Sequence, residues 1–296
     1  MKQYVQTTWF ILLAIGLTIS TLGVTAQRPD TTRIVVHYKF THLRDTTNRD
    51  NPDRGNMVLL IGKTASAYRS YGRQTQQDIA RQTKQPTSFS PGRPSGLVYY
   101  QFFREKKLIR KEPIFFSNFV ISDGLPVISW RISPDTASLG GLRCQKATCH
   151  FKGRDYTAWF CPDLPVSAGP WKLNGLPGVI AEAYDTKKEV CFLFDGIERI
   201  EGPFIADNPS ADGKPPMNDG PFSHEGNQLI IKLPDNVTPT SEKELERLHE
   251  LGRKNPQALV RALVGPQESG TPGPKVDLKA EPAPVENNPI ELPEKR

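Results

Sequence analysis

Short runs of alternating apolar and polar residues dominate this chain, and turn residues rather than helical periodicity separate them. Arg33–His42 is rich in β-branched and aromatic residues and reads as a strand. Asp45–Asn56 is polar and reads as a loop, Met57–Gly62 as a second strand and Ala65–Tyr71 as a third. Arg73–Pro94, rich in Gln, Thr and Pro, is expected to be a partly helical or irregular insertion. Leu97–Phe103, Leu108–Phe119 and Pro126–Ile132 then read as strands, with turns at Arg104–Lys107 and Ser122–Leu125. Leu142–Phe151 and Arg154–Cys161 read as two strands joined at Lys152-Gly153. Val179–Tyr184, Glu189–Arg199 and Asn227–Leu233 complete the series, with a Pro/Gly/Asn/Asp loop at Asp207–Pro221. Regular spacing with local turns predicts a mainly β (α+β) fold built as an antiparallel meander, not βαβ units.

The two ends depart from this pattern. Residues 1–26 read as a secretory signal peptide: a lone charge at Lys2, an apolar run from Trp9, and small residues before a cut at Gln27. A membrane anchor is disfavoured because Thr18, Ser20 and Thr21 interrupt the apolar stretch. Residues 27–236 form the expected β-rich domain. Residues 237–265 form a helical segment: Ser241 and Glu244 fit a capping box, Leu245, Leu248 and Leu251 share a face, and Pro256–Val264 can form a second short helix. Residues 266–296 hold seven prolines and few apolar side chains, which predicts a disordered Pro-rich tail.

Formal net charge is +6. The stretch from Gln27 to Asp123 is the basic part, with 17 Lys and Arg against 8 Asp and Glu. Such a surface can attract anionic envelope polymers, lipid headgroups or acidic proteins. Export disfavours nucleic acid as a partner, and no stable membrane span is expected once the signal is removed. Export also favours disulfides among the four cysteines, Cys144, Cys149, Cys161 and Cys191. Four cysteines allow three pairings. The Lys152-Gly153 turn sets Cys144 opposite Cys161 on one face and leaves Cys149 free to meet Cys191.

Six pieces occur in order between Cys144 and Glu182. They are Cys144-Gln-Lys-Ala, Phe151-Lys-Gly-Arg154, Tyr156-Thr-Ala-Trp-Phe160, Pro162-Asp-Leu-Pro165, Gly169-Pro-Trp-Lys172 and Gly175-Leu-Pro-Gly-Val-Ile180. In this order they resemble the GLPGLI family of exported bacterial envelope proteins, with Val179 in place of the usual Leu. The resemblance implies an exported β-rich protein with no established activity. A curved sheet like that of periplasmic lipoprotein carriers is a fold-level analogy.

The motif also has a physical reading. Leu176-Pro-Gly-Val179 suits a type II turn, with Pro177 fixing φ and Gly178 supplying φ > 0. Gly175 is expected to let the backbone pass close to the ring of Trp171 or Trp159. This makes the motif a structural corner. In the functional alternative it lines a pocket walled by Trp159, Phe160, Trp171, Leu176, Pro177 and Gly178. Cys149-His150 and Cys161 invite a cysteine-nucleophile reading, but neighbours on a strand face opposite ways. Arg154 is expected at the surface, paired with Asp155 or Asp163. No metal-ligand spacing or nucleotide or hydrolase fingerprint occurs, so no cofactor is expected. The leading expectation is a non-enzymatic periplasmic or secreted binding or accessory protein. Its partner would be an envelope protein, such as an outer-membrane transporter, or a lipidic ligand. A secreted hydrolase acting at the GLPG turn and a structural surface protein are the alternatives.

Overall fold

The computed structural model describes residues 29–71, 96–114, 117–200, 230–264 and 286–294. The expected signal peptide 1–26, insertion 73–94 and loop 207–221 lie outside the described residues.

After a two-residue β1 (Asp30–Thr31), six strands follow in chain order. They are β2 (Ile34–His42), β3 (Asp53–Ile61), β4 (Ala65–Ser70), β5 (Val98–Phe102), β6 (Lys107–Ile114) and β7 (Ser117–Gly124). Five more are β8 (Arg131–Leu139), β9 (Leu142–Phe151), β10 (Arg154–Cys161), β11 (Val179–Asp185) and β12 (Val190–Arg199). Short β13 (Ile230–Ile231) and β14 (Val237–Pro239) precede helices α1 (Glu242–Lys254) and α2 (Pro256–Val264). β1 pairs with β13, and the other twelve strands form one sheet ordered β14-β7-β6-β5-β4-β3-β2-β12-β11-β10-β9-β8. It is therefore two meanders, β2 to β7 and β8 to β12, zipped together along β2 and β12. Within this sheet only β14, on β7, pairs in parallel.

The expected meander forms, with three local differences. The run Leu108–Phe119 is two strands rather than one, and Pro113 of β6 faces Asn118 of β7 across the hairpin. β3 starts at Asp53, inside the expected loop. β8 replaces the expected strand at Pro126–Ile132. It is an edge strand exposed on both sides, so burial imposes no alternation on it, and a bulge carries Pro134 between Ile132 and Thr136.

Chain connectivity forces the sheet to curl. β7 and β8 lie ten strand spacings apart, roughly 48 Å in a flat sheet. Residues 125–130 join them and reach about 25 Å at most. The two ends must therefore approach each other. The main core agrees, because it collects side chains from both meanders: Tyr38, Leu59, Tyr68 and Tyr99 with Cys149, Tyr156, Phe160 and Phe192. A second core, including Val35, Val58, Leu60, Tyr100 and Ile109, comes from β2 to β7 together with Ile231 of β13 and lies on the outer face.

α1 and α2 pack Leu245, Leu248 and Leu259 on Ile114, Phe119 and Ile121 of β6 and β7. The Ser241 hydroxyl accepts the Glu244 amide at 3.3 Å, the N-cap half of the expected capping box. The Glu244 carboxylate instead accepts from Arg247.

Candidate functional site

The β9–β10 hairpin is built on Lys152 and Gly153, both at positive φ, 51° and 70°. Its register places Cys144 beside Cys161, and these two form a disulfide. Cys149 and Cys191 are buried free thiols. The expected second bridge does not form. Cys149 shares a face with Tyr156 and Asp185, whereas Cys191 pairs with Tyr184 on the other face of the sheet. Burial pushes the Cys149 thiol up to about 12 and the Cys191 thiol up to about 11, far from thiolate character at neutral pH. His150 points away from Cys149, to Asp155 and Glu294 at 2.7 and 2.8 Å.

Residues 162–178 cross the hollow of the curled sheet and plug it. Leu164, Ala168, Trp171, Leu173 and Leu176 are all buried there. Trp171 stacks on Phe192 and packs edge-on against Phe151, with centroids 6.4 and 5.6 Å away. The plug's polar backbone is satisfied by its own turns and by neighbouring side chains. Gln101 donates to the carbonyls of Trp171 and Leu173, and Trp130 Nε1 to Asn174 O at 2.8 Å. The Ser167 hydroxyl accepts from Gly175 N, and the Tyr38 hydroxyl donates to Ile180 O at 2.6 Å.

The two glycines of the signature exchange their expected roles. Gly178 is not in the left-handed region, so Leu176–Val179 is not a type II turn. A Cβ on Gly178 would instead sit 2.3 Å from the Cys161 carbonyl oxygen, so close backbone approach is what demands glycine. Gly175 has φ 93°, and its Cβ would meet Trp130 at an ordinary 3.6 Å. Trp171 also has positive φ, 55°, which is rare for a bulky residue and is held by the Leu173 N to Pro170 O bond and by burial.

The residues expected to wall a pocket meet largely in one core. Phe160, Trp171 and Leu176 are core residues. Trp159 is half-buried and packs against the same core, and Pro177 is exposed. Gly178 is buried against β10. A shallow depression among the described residues lies elsewhere, against the disulfide, lined by Thr136, Arg143, Cys144, Gln145 and Pro162.

The polar site of the molecule lies beside the plug, and the sequence pattern did not mark it. Arg154, expected at the surface, is 4% exposed. Its guanidinium donates to Asp185 Oδ2 at 2.6 Å and stands 3.6 Å from Glu189. The other oxygen of Asp185 accepts the amides of Glu189 and Val190, which fixes the β11–β12 turn and aims Arg154. The free side of Arg154 grips the chain's own C-terminal segment, Glu286–Glu294, which here is bound to the domain and not a disordered tail. Arg154 donates to Asn288 Oδ1, Pro289 O and Ile290 O at 2.6, 2.7 and 3.1 Å.

Both ends of that segment are held as well. Buried His42 donates from Nε2 to Asn288 O, and Asn288 Nδ2 donates to Leu43 O and Glu189. Arg44 pairs with Glu286, and its carbonyl accepts the amides of Asn287 and Asn288. Lys172 and Lys152 both pair with Glu291. Gly153 N and His150 both bind Glu294, and Leu292 N donates to Lys152 O. Burial drives the His42 imidazole down to about 4, reinforced by the charges of Arg44 and Arg154 against the opposing Asn288 bond. Burial works against the Glu291 carboxylate, yet the ammonium groups of Lys172 and Lys152 hold it below its ordinary value. Among the described residues no group of three or more His, Cys, Asp or Glu could hold a metal.

Residues 149–182 match the model of a family described as a protein of unknown function, Porph_ging. The match spans the β9–β10 turn, the plug and the signature glycines. The comparison with curated proteins returned no match. Two solved structures of PNGF-II, in space groups C2 and P21, are similar at 12% and 11% identity with TM-scores of 0.48 and 0.49. Each alignment covers 75% of this chain, which spans about a third (33% and 34%) of the PNGF-II chains. The disulfide fits an oxidising, non-cytoplasmic setting. No helix among the described residues is long and apolar enough to cross a membrane.

Proposed function

We propose that this chain is an exported, non-enzymatic binding or accessory protein of the bacterial cell envelope, of the GLPGLI type. The observation that carries this reading is the contrast at its signature. The Gly-Leu-Pro-Gly corner is packed into the core through Leu176 and Gly178, while the polar site beside it holds an extended stretch of polypeptide. The partner is a protein rather than a lipidic ligand, because residues 162–178 fill the hollow a lipid would need. An outer-membrane transporter is the kind of envelope partner such a site would serve.

The test is expression of the full chain in a Gram-negative host with a photo-crosslinking residue at exposed Asp155, on the rim of the site. The expected result is a product cut before Gln27 in the envelope or medium, carrying one discrete crosslink to an envelope protein. An uncut cytoplasmic product would overturn the reading.

A further inference from the structure

We infer that the groove around Arg154 is a peptide-binding site for an extended acidic segment of the pattern Glu-Asn-Asn-Pro-aliphatic-Glu. Residues 286–294 are its resident ligand, exchangeable for a partner segment of the same chemistry. This deepens the proposed function and rests on it for the identity of the partner.

Four observations carry the inference. The segment adds no strand to the sheet; it is bound through its carbonyls, the amides of Asn287, Asn288 and Leu292, and its side-chain tips. Its recognition is sequence-reading: Asn288, the one described side chain of the segment that is buried, uses both amide atoms, on Arg154, Leu43 and Glu189. Its glutamates meet different basic side chains, Glu286 on Arg44, Glu291 on Lys152 and Lys172, and Glu294 on His150. The groove is shaped for a passing backbone, because a Cβ on Gly153 would lie 2.6 Å from the Leu292 carbonyl oxygen. Arg154 meanwhile keeps Asp185 and Glu189 whatever occupies the groove, so its own buried charge stays countered when the segment leaves, while Lys152 and Lys172 are left to attract an acidic replacement. This is how proteins read extended peptides: fixed donors take the backbone, and pockets and charges select the side chains.

The experiment uses the full chain with a protease site inserted between residues 275 and 276, cut after folding. Native mass spectrometry then follows uptake of an isotope-labelled peptide of residues 284–296, alongside a melting curve. The intact chain should take up little peptide, because the tethered copy competes at roughly millimolar effective concentration. The cut chain should exchange one equivalent and keep a cooperative melt. Peptides carrying Asn288→Ala or Glu291→Lys should exchange at least about tenfold more weakly, since each loses charge-assisted bonds. These changes sit in the peptide, so the fold of the protein is untouched. A cut segment that never exchanges, a domain that unfolds on cutting, or variant peptides that exchange equally well would each overturn the inference. Exchange in vitro without an envelope crosslink would sink the proposed function alone, and a crosslink without exchange would sink this inference alone.

Discussion

Two loops lie on the same curled sheet and are held by opposite physics. The 162–178 plug is close-packed and largely apolar: its glycines allow backbone to touch backbone, its indole stacks on core rings, and Lys172 is its link to the polar segment. The 286–294 segment is mainly polar: guanidinium, imidazole and ammonium groups hold its carbonyls and carboxylates, and of its side chains Ile290 packs on the core. The plug leaves the sheet only when the core opens, whereas the segment needs its hydrogen bonds and ion pairs replaced, which a second segment of like sequence can do. Proximity to a signature motif therefore does not make a residue functional. Here the motif stabilises, and its polar neighbour recognises.

The largest expected effect comes from Arg154→Met. It strands the buried carboxylates of Asp185 and Glu189 and should cost about 3–5 kcal/mol, read as a fall in denaturant midpoint. Gly178→Ala drives a methyl group into the Cys161 carbonyl and should cost about 3 kcal/mol while leaving the C-terminal segment attached. If Gly178→Ala releases the segment without lowering the melting temperature, the contrast between the two loops is wrong.

Acid should act on the groove first. His42 is neutral when folded and takes a proton more readily when unfolded. Its contribution is full above pH 6.5 and is lost as pH falls towards about 4, up to about 3 kcal/mol in all. Arg44, Arg154 and Asp53 surround it. Stability measured across that range should slope downward, and His42→Gln should flatten the slope. Gly175→Ala forces a side chain into positive φ and should cost about 1–2 kcal/mol. The smallest effect is expected for Glu291→Lys. It should loosen the segment in hydrogen exchange while moving global stability by about 1 kcal/mol or less.

Much of the fold was legible in the chain. Alternation located most strands, the Lys152-Gly153 turn placed Cys144 against Cys161, and Ser241 marked the start of α1. Each of these is a local signal, carried by residues within one hairpin or one helical turn. β8 was missed because an edge strand wet on both faces has no alternation to read. The groove was missed for a different reason. Arg154 looks like any charged residue after a glycine, and Asn288 looks like part of a Pro-rich tail.

By itself the sequence determined the mainly β architecture, the disulfide-bearing hairpin and the need for glycine in the signature, because strand pleat, turn geometry and capping act over a few residues. Only the tertiary structure decided which glycine yields to positive φ and which to close approach, that Arg154 is buried, and that a segment 134 residues further on closes over it. Those outcomes depend on which surfaces meet once the sheet has curled, and no local pattern encodes a meeting between residues so far apart.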